Sequence, residues 1–416
     1  MGRRFGWLWA AYSVSAFGTW LAFDAFAMMA VLVLHAGPAQ VALLAATGPA
    51  VGALLAMPLG PWMEFRRKRP VMAGTDLVRC AALLSIPAAY ALGGLGLGQL
   101  LVVSVVVAAA DITFNAASGA FLKGLVPADR LLTANARFES ANWTALVLGP
   151  PLGGAAVGLF GPVTTVVANA VSFLLSALGI RAVGGGEPRP ERTGAGRLRP
   201  GDLFEGWRTI LTSAQLRPLF LNTLASNAMI MVAAPPLAVL MLGPLGFAPW
   251  QYGLAFALPS LGGLLGSRLA RPLVARYGQL RVLRTAGTLR AVWPVGLAFV
   301  RPGPPGLLLV MVLELGVITC SAVFSPVSVT RRMECIPDDR VARTLSAWSV
   351  TGKATTAVLT ALWGLLASLT GPRAAIALAG VLLLATPVLL PRAPRTTERP
   401  SPASVPPSPD APRPSR

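Results

Sequence analysis

Long apolar runs, separated by short polar or Pro/Gly-rich breaks, occupy most of this chain. Each is long enough to cross a bilayer as a helix, which needs about 20 residues. Six of them cover residues 7–34, 39–61, 71–95, 98–121, 132–160 and 162–183. After a polar gap, six more cover 216–242, 250–267, 282–300, 305–329, 341–369 and 373–391. The pattern predicts an all-α membrane protein with twelve transmembrane helices in two pseudo-symmetric six-helix bundles. One bundle is expected over residues 1–183, a linker over 184–213, the other bundle over 214–391 and a tail over 392–416.

Internal duplication supports the two-bundle reading. The stretch LVPADRLLTANARFES at 125–140 returns as CIPDDRVARTLSAWSV at 335–350, and RPVMAGTDLVRCAALLSIP at 69–87 resembles RVLRTAGTLRAVWPV at 281–295. The first pair places a break at Pro127 and Pro337, and predicts Asp129 and Asp339 as N-caps of the helices that follow. The second pairs Arg79 with Arg290. Parallel repeats of this kind in a polytopic chain build two-bundle secondary transporters whose substrate site lies between the bundles.

Composition agrees. Of 416 residues, 54% are hydrophobic and 12% charged, about half the charged share of a soluble domain. The net charge of +19 raises the question of a nucleic-acid partner, and the placement of the basic residues answers it. Alternate connections carry Arg66, Arg67, Lys68 and Arg69, then Lys123 and Arg130, the linker arginines, Arg271, Arg276 and Arg281, and finally Arg331, Arg332 and Arg340. The opposite connections carry only Arg301 and Arg373. Basic loops stay on the cytoplasmic side, so both termini are expected there, and no soluble domain exists to present a basic face to nucleic acid.

The first apolar segment is too long for a signal-peptide core and is expected to stay as part of the bundle. Cys80, Cys320 and Cys335 have no paired spacing and read as small buried hydrophobes. Gly184 to Gly201 reads as a flexible basic linker, and the amphipathic run Asp202 to Ser213 is expected along the inner membrane surface. The Pro, Ser and Arg composition after Arg392 predicts disorder.

The repeated loop, the twelve spans and the linker together resemble the major facilitator superfamily. Within it, LVPADRLLTANARFES, GPPLGG and NAVSFLLSALGIR are similar to the macrolide-efflux and siderophore-exporter branch, of the transmembrane secretion effector type. The resemblance covers residues 5–391. It implies a conformational motif after the second span, here Gly60, Pro61, Trp62, Met63, Glu64, Phe65, Arg66, Arg67, Lys68 and Arg69. Glu64 and Phe65 depart from the usual aspartate and basic residue. A carboxylate at 64 would meet the N-terminus of a helix from the other half, an interaction worth about 0.3–1 kcal/mol; the basic cluster alone also fixes topology.

The resemblance further associates Gly149, Pro150, Pro151, Leu152, Gly153 and Gly154 with export. Small residues allow close backbone approach and the prolines bend the helix. Gly262, Gly263 and Gly266 in the eighth span offer a matching surface, so these two helices are expected to pack across the half-to-half interface.

Four charges fall inside the membrane: Asp24 in the first span, Asp111 in the fourth, Glu314 in the tenth and Lys353 in the eleventh. Each costs about 2.5–3.5 kcal/mol when bare at mid-depth, so they are expected to face a wet cavity or one another. Asp24 and Asp111 are candidates for a proton carrier, and Glu314 with Lys353 for a static pair between neighbouring helices. The resemblance favours Asp24, whereas the arginine many exporters carry in the fourth span is absent here. Asp76 with Arg79 reads as a local ion pair, as does Arg137 with Glu139. Trp20, Phe23, Phe26, Asn115, Asn142, Trp143 and Trp348 are candidate cavity residues, suited to a bulky, partly apolar ligand.

Other chemistries are excluded. The only GK, Gly352 and Lys353, lacks the rest of a phosphate-binding loop, His35 has no ligating neighbours for a metal, and the sequon at Asn142 lies within a span. No cofactor and no enzymatic activity are expected. The sequence therefore predicts a monomeric, proton-coupled exporter of a drug-like or natural-product molecule in a bacterial plasma membrane; arginine outnumbers lysine 32 to 3, as in a GC-rich genome. A siderophore or other metabolite transporter is the alternative, and a non-transporting sensor or scaffold is the alternative of another class.

Overall fold

The computed structural model describes residues 2–55, 66–127, 130–184, 200–337 and 340–391. All regular structure among them is helical. The first half contains α1 (Arg3–Leu21), α2 (Ala25–Leu32), α3 (Pro38–Leu55), α4 (Lys68–Ala91), α5 (Leu97–Leu125), α6 (Leu131–Phe160) and α7 (Pro162–Ala182). A linker helix, α8 (Pro200–Thr212), precedes the second half: α9 (Leu216–Leu242), α10 (Pro249–Tyr277), α11 (Gln279–Val292), α12 (Pro304–Glu334), α13 (Val341–Thr370) and α14 (Pro372–Ala385). Short 3-10 turns, Trp293–Phe299 and Thr386–Leu389, extend α11 and α14.

Eleven of the described helical segments are long and apolar enough to cross a membrane, with α1 and α2 counted together as the first. The ninth expected span is α11 with its 3-10 extension. It carries Arg281, Arg284 and Arg290 and changes helix type at Trp293, so it lacks one continuous apolar helix.

Backbone detail repeats along with the sequence. Arg130 N–H donates to the Pro127 carbonyl at 3.0 Å, and Arg340 N–H to the Pro337 carbonyl at 3.0 Å. The N-cap positions thus fall on Arg130 and Arg340, one residue beyond the expected Asp129 and Asp339, which lie outside the described residues. Gly161 (φ 82°) and Gly371 (φ 87°) each end one helix and open the next before a proline. A left-handed backbone favours glycine there, and proline at the first helical position gives up an amide that has no partner anyway.

Packing distinguishes the two ends of the molecule. At the end far from the start of α1, one apolar core joins the halves: Met28 and Met29 of α2 and Leu44 of α3 pack with Leu240 and Met241 of α9 and Tyr252 of α10. Toward the near end the cores stay separate. Phe5, Leu8, Met72 and Phe114 form one within the first half, and Phe220, Leu283, Phe324 and Trp348 form another within the second.

The linker helix belongs to the second half. Glu205 pairs with Arg343 and lies 3.8 Å from Arg340, Trp207 Nε1 donates to Thr351 Oγ1 at 2.8 Å, and Ile210 is fully buried. The run expected along the membrane surface is therefore docked on α13, leaving Phe204 and Leu211 outward.

Candidate functional site

The first span breaks at residues 22–24. Phe23 N–H reaches back only to the Trp20 carbonyl and Ala25 N–H to that of Ala22, so the helix tightens before restarting at α2. Asp24 occupies the N-cap of α2, where the positive end of the helix dipole favours a carboxylate. The break lies against α6. A Cβ on Gly149 would stand 2.6 Å from Trp20 Cβ, and one on Gly153 would overlap the Leu21 carbonyl oxygen. The glycines of GPPLGG thus make room for the kinked first span.

The same motif forms the seam between halves, with a different partner from the one expected. A Cβ on Gly154 would lie 2.9 Å from Gly253 Cα and 3.0 Å from the Pro249 carbonyl oxygen, both at the start of α10. Gly262 and Gly266 instead face Thr319, Leu315 and Ala322 of α12, within their own half. A second seam joins α3 to α13, where Gly364 meets Ala42 and the Pro38 carbonyl.

Asp24 and Glu314 come from opposite halves, and both lie within electrostatic reach of the Tyr252 hydroxyl. Tyr252 is buried on α10, its ring 5.1 Å from that of Phe256. The expected pair of Glu314 with Lys353 does not form: Lys353 extends from α13 toward α3, where a Cβ on Gly52 would meet its Cδ at 2.9 Å and Nζ at 3.2 Å. Glu314 and Lys353 therefore serve different places, although they sit on consecutive spans.

Asp76 and Arg79 do pair within α4, and the same guanidinium reaches across to α5, with Nη1 3.0 Å from Asp111 Oδ1. Asn115 Nδ2 donates to the other Asp111 oxygen at 3.0 Å. Asp76 and Arg79 are buried, whereas the Asp111 side chain is 45% exposed. Asp111, midway along a membrane-spanning helix, is thus the least buried member of the triad. Asp111 also feels the charge of Lys353 across the half-to-half boundary.

Among the aromatic candidates, Trp20 Nε1 donates to Asn142 Oδ1 at 3.1 Å, and the Trp20 ring lies 5.0 Å from Phe23, which is largely exposed. Phe26 packs against the joined core. Trp348 is buried edge-on to Phe220 at 4.8 Å with Arg332 over its face. Phe138, its counterpart in the first half, is buried in the same way against Tyr12. The side chains of Trp143 and Glu139 lie outside the described residues, as do Gly60 and Glu64 of the loop motif. Of that motif, Arg66 is exposed, Lys68 Nζ donates to the Arg66 carbonyl at 2.7 Å, and Arg69 Nε donates to the Ile180 carbonyl at 3.1 Å. Arg69 thereby caps the C-terminal end of α7 within its own half.

Among the described residues no group of three His, Cys, Asp or Glu side chains gathers to hold a metal. An apolar groove of about 420 Å³ between α1 and α7, lined by Val14, Phe17, Gly18 and Leu175, touches none of the candidate residues.

Two pseudo-repeated helical halves, seamed at one end around a broken first helix, define a membrane transporter fold. The chain belongs to the Major Facilitator Superfamily, whose sequence profile matches residues 8–328 and 219–414. None of the curated proteins matches it. Among solved structures it resembles the nucleoside transporter NupG, at 12% identity and TM-score 0.71 over 94% of this chain and 100% of that one. A bacterial homologue of the iron transporter ferroportin matches at 18% identity in two states. The TM-score is 0.70 for the inward-facing state, over 92% of this chain and 98% of that one, and 0.59 for the outward-facing state, over 94% and 98%.

Proposed function

We propose that this protein is a proton-coupled exporter of a drug-like or natural-product molecule, working by alternating access as a monomer in a bacterial plasma membrane. The observation that carries this reading is the asymmetry of packing: one core joins the halves at the far end, and the cores part at the near end. The near end carries the arginine-rich connections, so the positive-inside rule turns it toward the cytoplasm. The higher similarity to the inward-facing ferroportin homologue agrees with that assignment.

Asp24 supplies the coupling in this reading. It sits where the first span breaks, beside the seam that must part for the outer side to open. Proton uptake there from outside neutralises a charge at membrane depth, and each charge moved across the field carries about 2.3 kcal/mol per 100 mV. Release toward the cytoplasm restores the carboxylate when the halves rock back. Asp111, accessible in the inward-facing state, is the second carrier and is held in place by Arg79 and Asn115.

Export is tested in everted vesicles, with drug-induced proton efflux read against an imposed pH gradient for Asp24→Asn and Asp111→Asn. Loss of coupling in either variant supports the assignment. Coupling unchanged in both would end it.

A further inference from the structure

We propose that the protein takes, between its halves, an organic molecule carrying a single negative charge, anchored by Lys353. This rests on the transport reading above and specifies its cargo. Lys353 lies about 15 Å along α13 from Arg343, at 1.5 Å per residue, well inside the membrane. Its methylene stem crosses to the first half and lies in the notch that Gly52 leaves, with Nζ 3.2 Å from where a Cβ would be. The side chain is partly exposed.

Among the described residues nothing neutralises it at contact distance. Among the described residues no carboxylate lies within 4.0 Å of its ammonium, and no group accepts a hydrogen bond from it. Asp111 is the carboxylate whose charge it feels, but one Asp111 oxygen is held by Arg79 and the other by Asn115. Glu314 lies toward Tyr252 instead.

An ammonium at this depth with no anion in contact is costly. The protein keeps it partly exposed at the boundary the cargo must cross, so the anion comes with the cargo. One lysine matches one carboxylate or sulfonate. Arg79 cannot add a second cation, being buried at 1% exposure and already paired.

The test uses the purified full chain in lipid nanodiscs and three matched probes: 1-pyrenebutyrate, its methyl ester, and a pyrenebutyl-trimethylammonium. The carboxylate is expected to bind about tenfold or more tightly than the other two, the scale of one charge-assisted hydrogen bond. Lys353→Gln should erase that preference while leaving ester binding unchanged, and Lys353→Arg should keep it. Equal binding of the three probes by the unaltered protein overturns the proposal, as does binding of none of them or a preference that survives K353Q. Flux of the same probes in proteoliposomes under a pH gradient separates the two readings. Gradient-driven flux without charge preference sinks the cargo assignment alone, whereas Lys353-dependent binding without flux sinks the transport reading alone.

Discussion

Arg79 and Arg290 stand 211 positions apart at matching places in the two halves, and each guanidinium lies over a phenylalanine ring, Phe114 at 4.7 Å and Phe324 at 3.7 Å. Only Arg79 meets carboxylates. Where the first half has Asp76, the second has Gly287, and Arg290 donates instead to Asn222 Oδ1 at 2.9 Å. One half has kept a charged triad that reaches an accessible acid, while the other has kept the cation with a neutral partner.

The two arginines should therefore differ in what their loss costs. Arg79→Met strands the buried Asp76, and breaking a buried pair this way costs about 3–5 kcal/mol. Arg290→Met leaves only an amide oxygen short of a donor, about 1–3 kcal/mol. Thermal unfolding of the detergent-solubilised variants ranks them, and equal losses would contradict the triad as an energetic unit.

Gly154→Val should hold the far end apart, because its first added carbon already meets Gly253 at 2.9 Å. Transport should drop at least about tenfold, equivalent to 1.4 kcal/mol. A cysteine placed at the far-end seam should become reactive to impermeant maleimide. Gly262→Val, crowding α12 inside one half, should lower stability without opening the seam.

Glu205→Gln removes the ion pairs that hold α8 to α13. Both partners are well exposed, so the stability change should stay within about 1 kcal/mol and shrink in high salt. Faster amide exchange over α8, with α13 unchanged, is the expected signature; unaltered exchange would mean that Trp207 and Ile210 alone secure the helix.

Cys335 lies just beyond the end of α12, where burial pushes its thiol up, only partly offset by Arg331, with Glu334 pushing the same way as burial. Because the thiolate is the reactive form, maleimide labelling in a C80S/C320S background should quicken as pH rises toward 9. Arg331→Ala should slow it at fixed pH, and Glu334→Gln should quicken it. The opposite order would place another charge beside the sulfur.

The spans, their pairing into halves and the intramembrane acids were legible because apolar length and duplication are properties of one strand of sequence. Partners across helices were not. Asp76 was found with Arg79 because they share a turn, while Asp111, 32 positions away, carries no periodic mark of its bond. The eighth span shows why small residues alone mislead. Gly253 and Gly262 are nine residues apart, which at 3.6 residues per turn puts them on opposite faces, so one meets Gly154 and the other α12. Lys353 and Glu314 looked like neighbours by span order, yet helix rotation sends one toward α3 and the other toward Tyr252. Tyr252 itself had no signal beyond being an aromatic residue in an apolar run.

Because α8 is anchored to α13, it travels with the second six helices, and the only covalent joint between the two units is the stretch 185–199. A gene divided within that stretch would give two polypeptides, each retaining all the contacts of its own bundle. Their reunion in the bilayer would then depend on the glycine seams and the apolar core that joins the halves, making co-expression of the pieces a direct measure of how much those contacts hold.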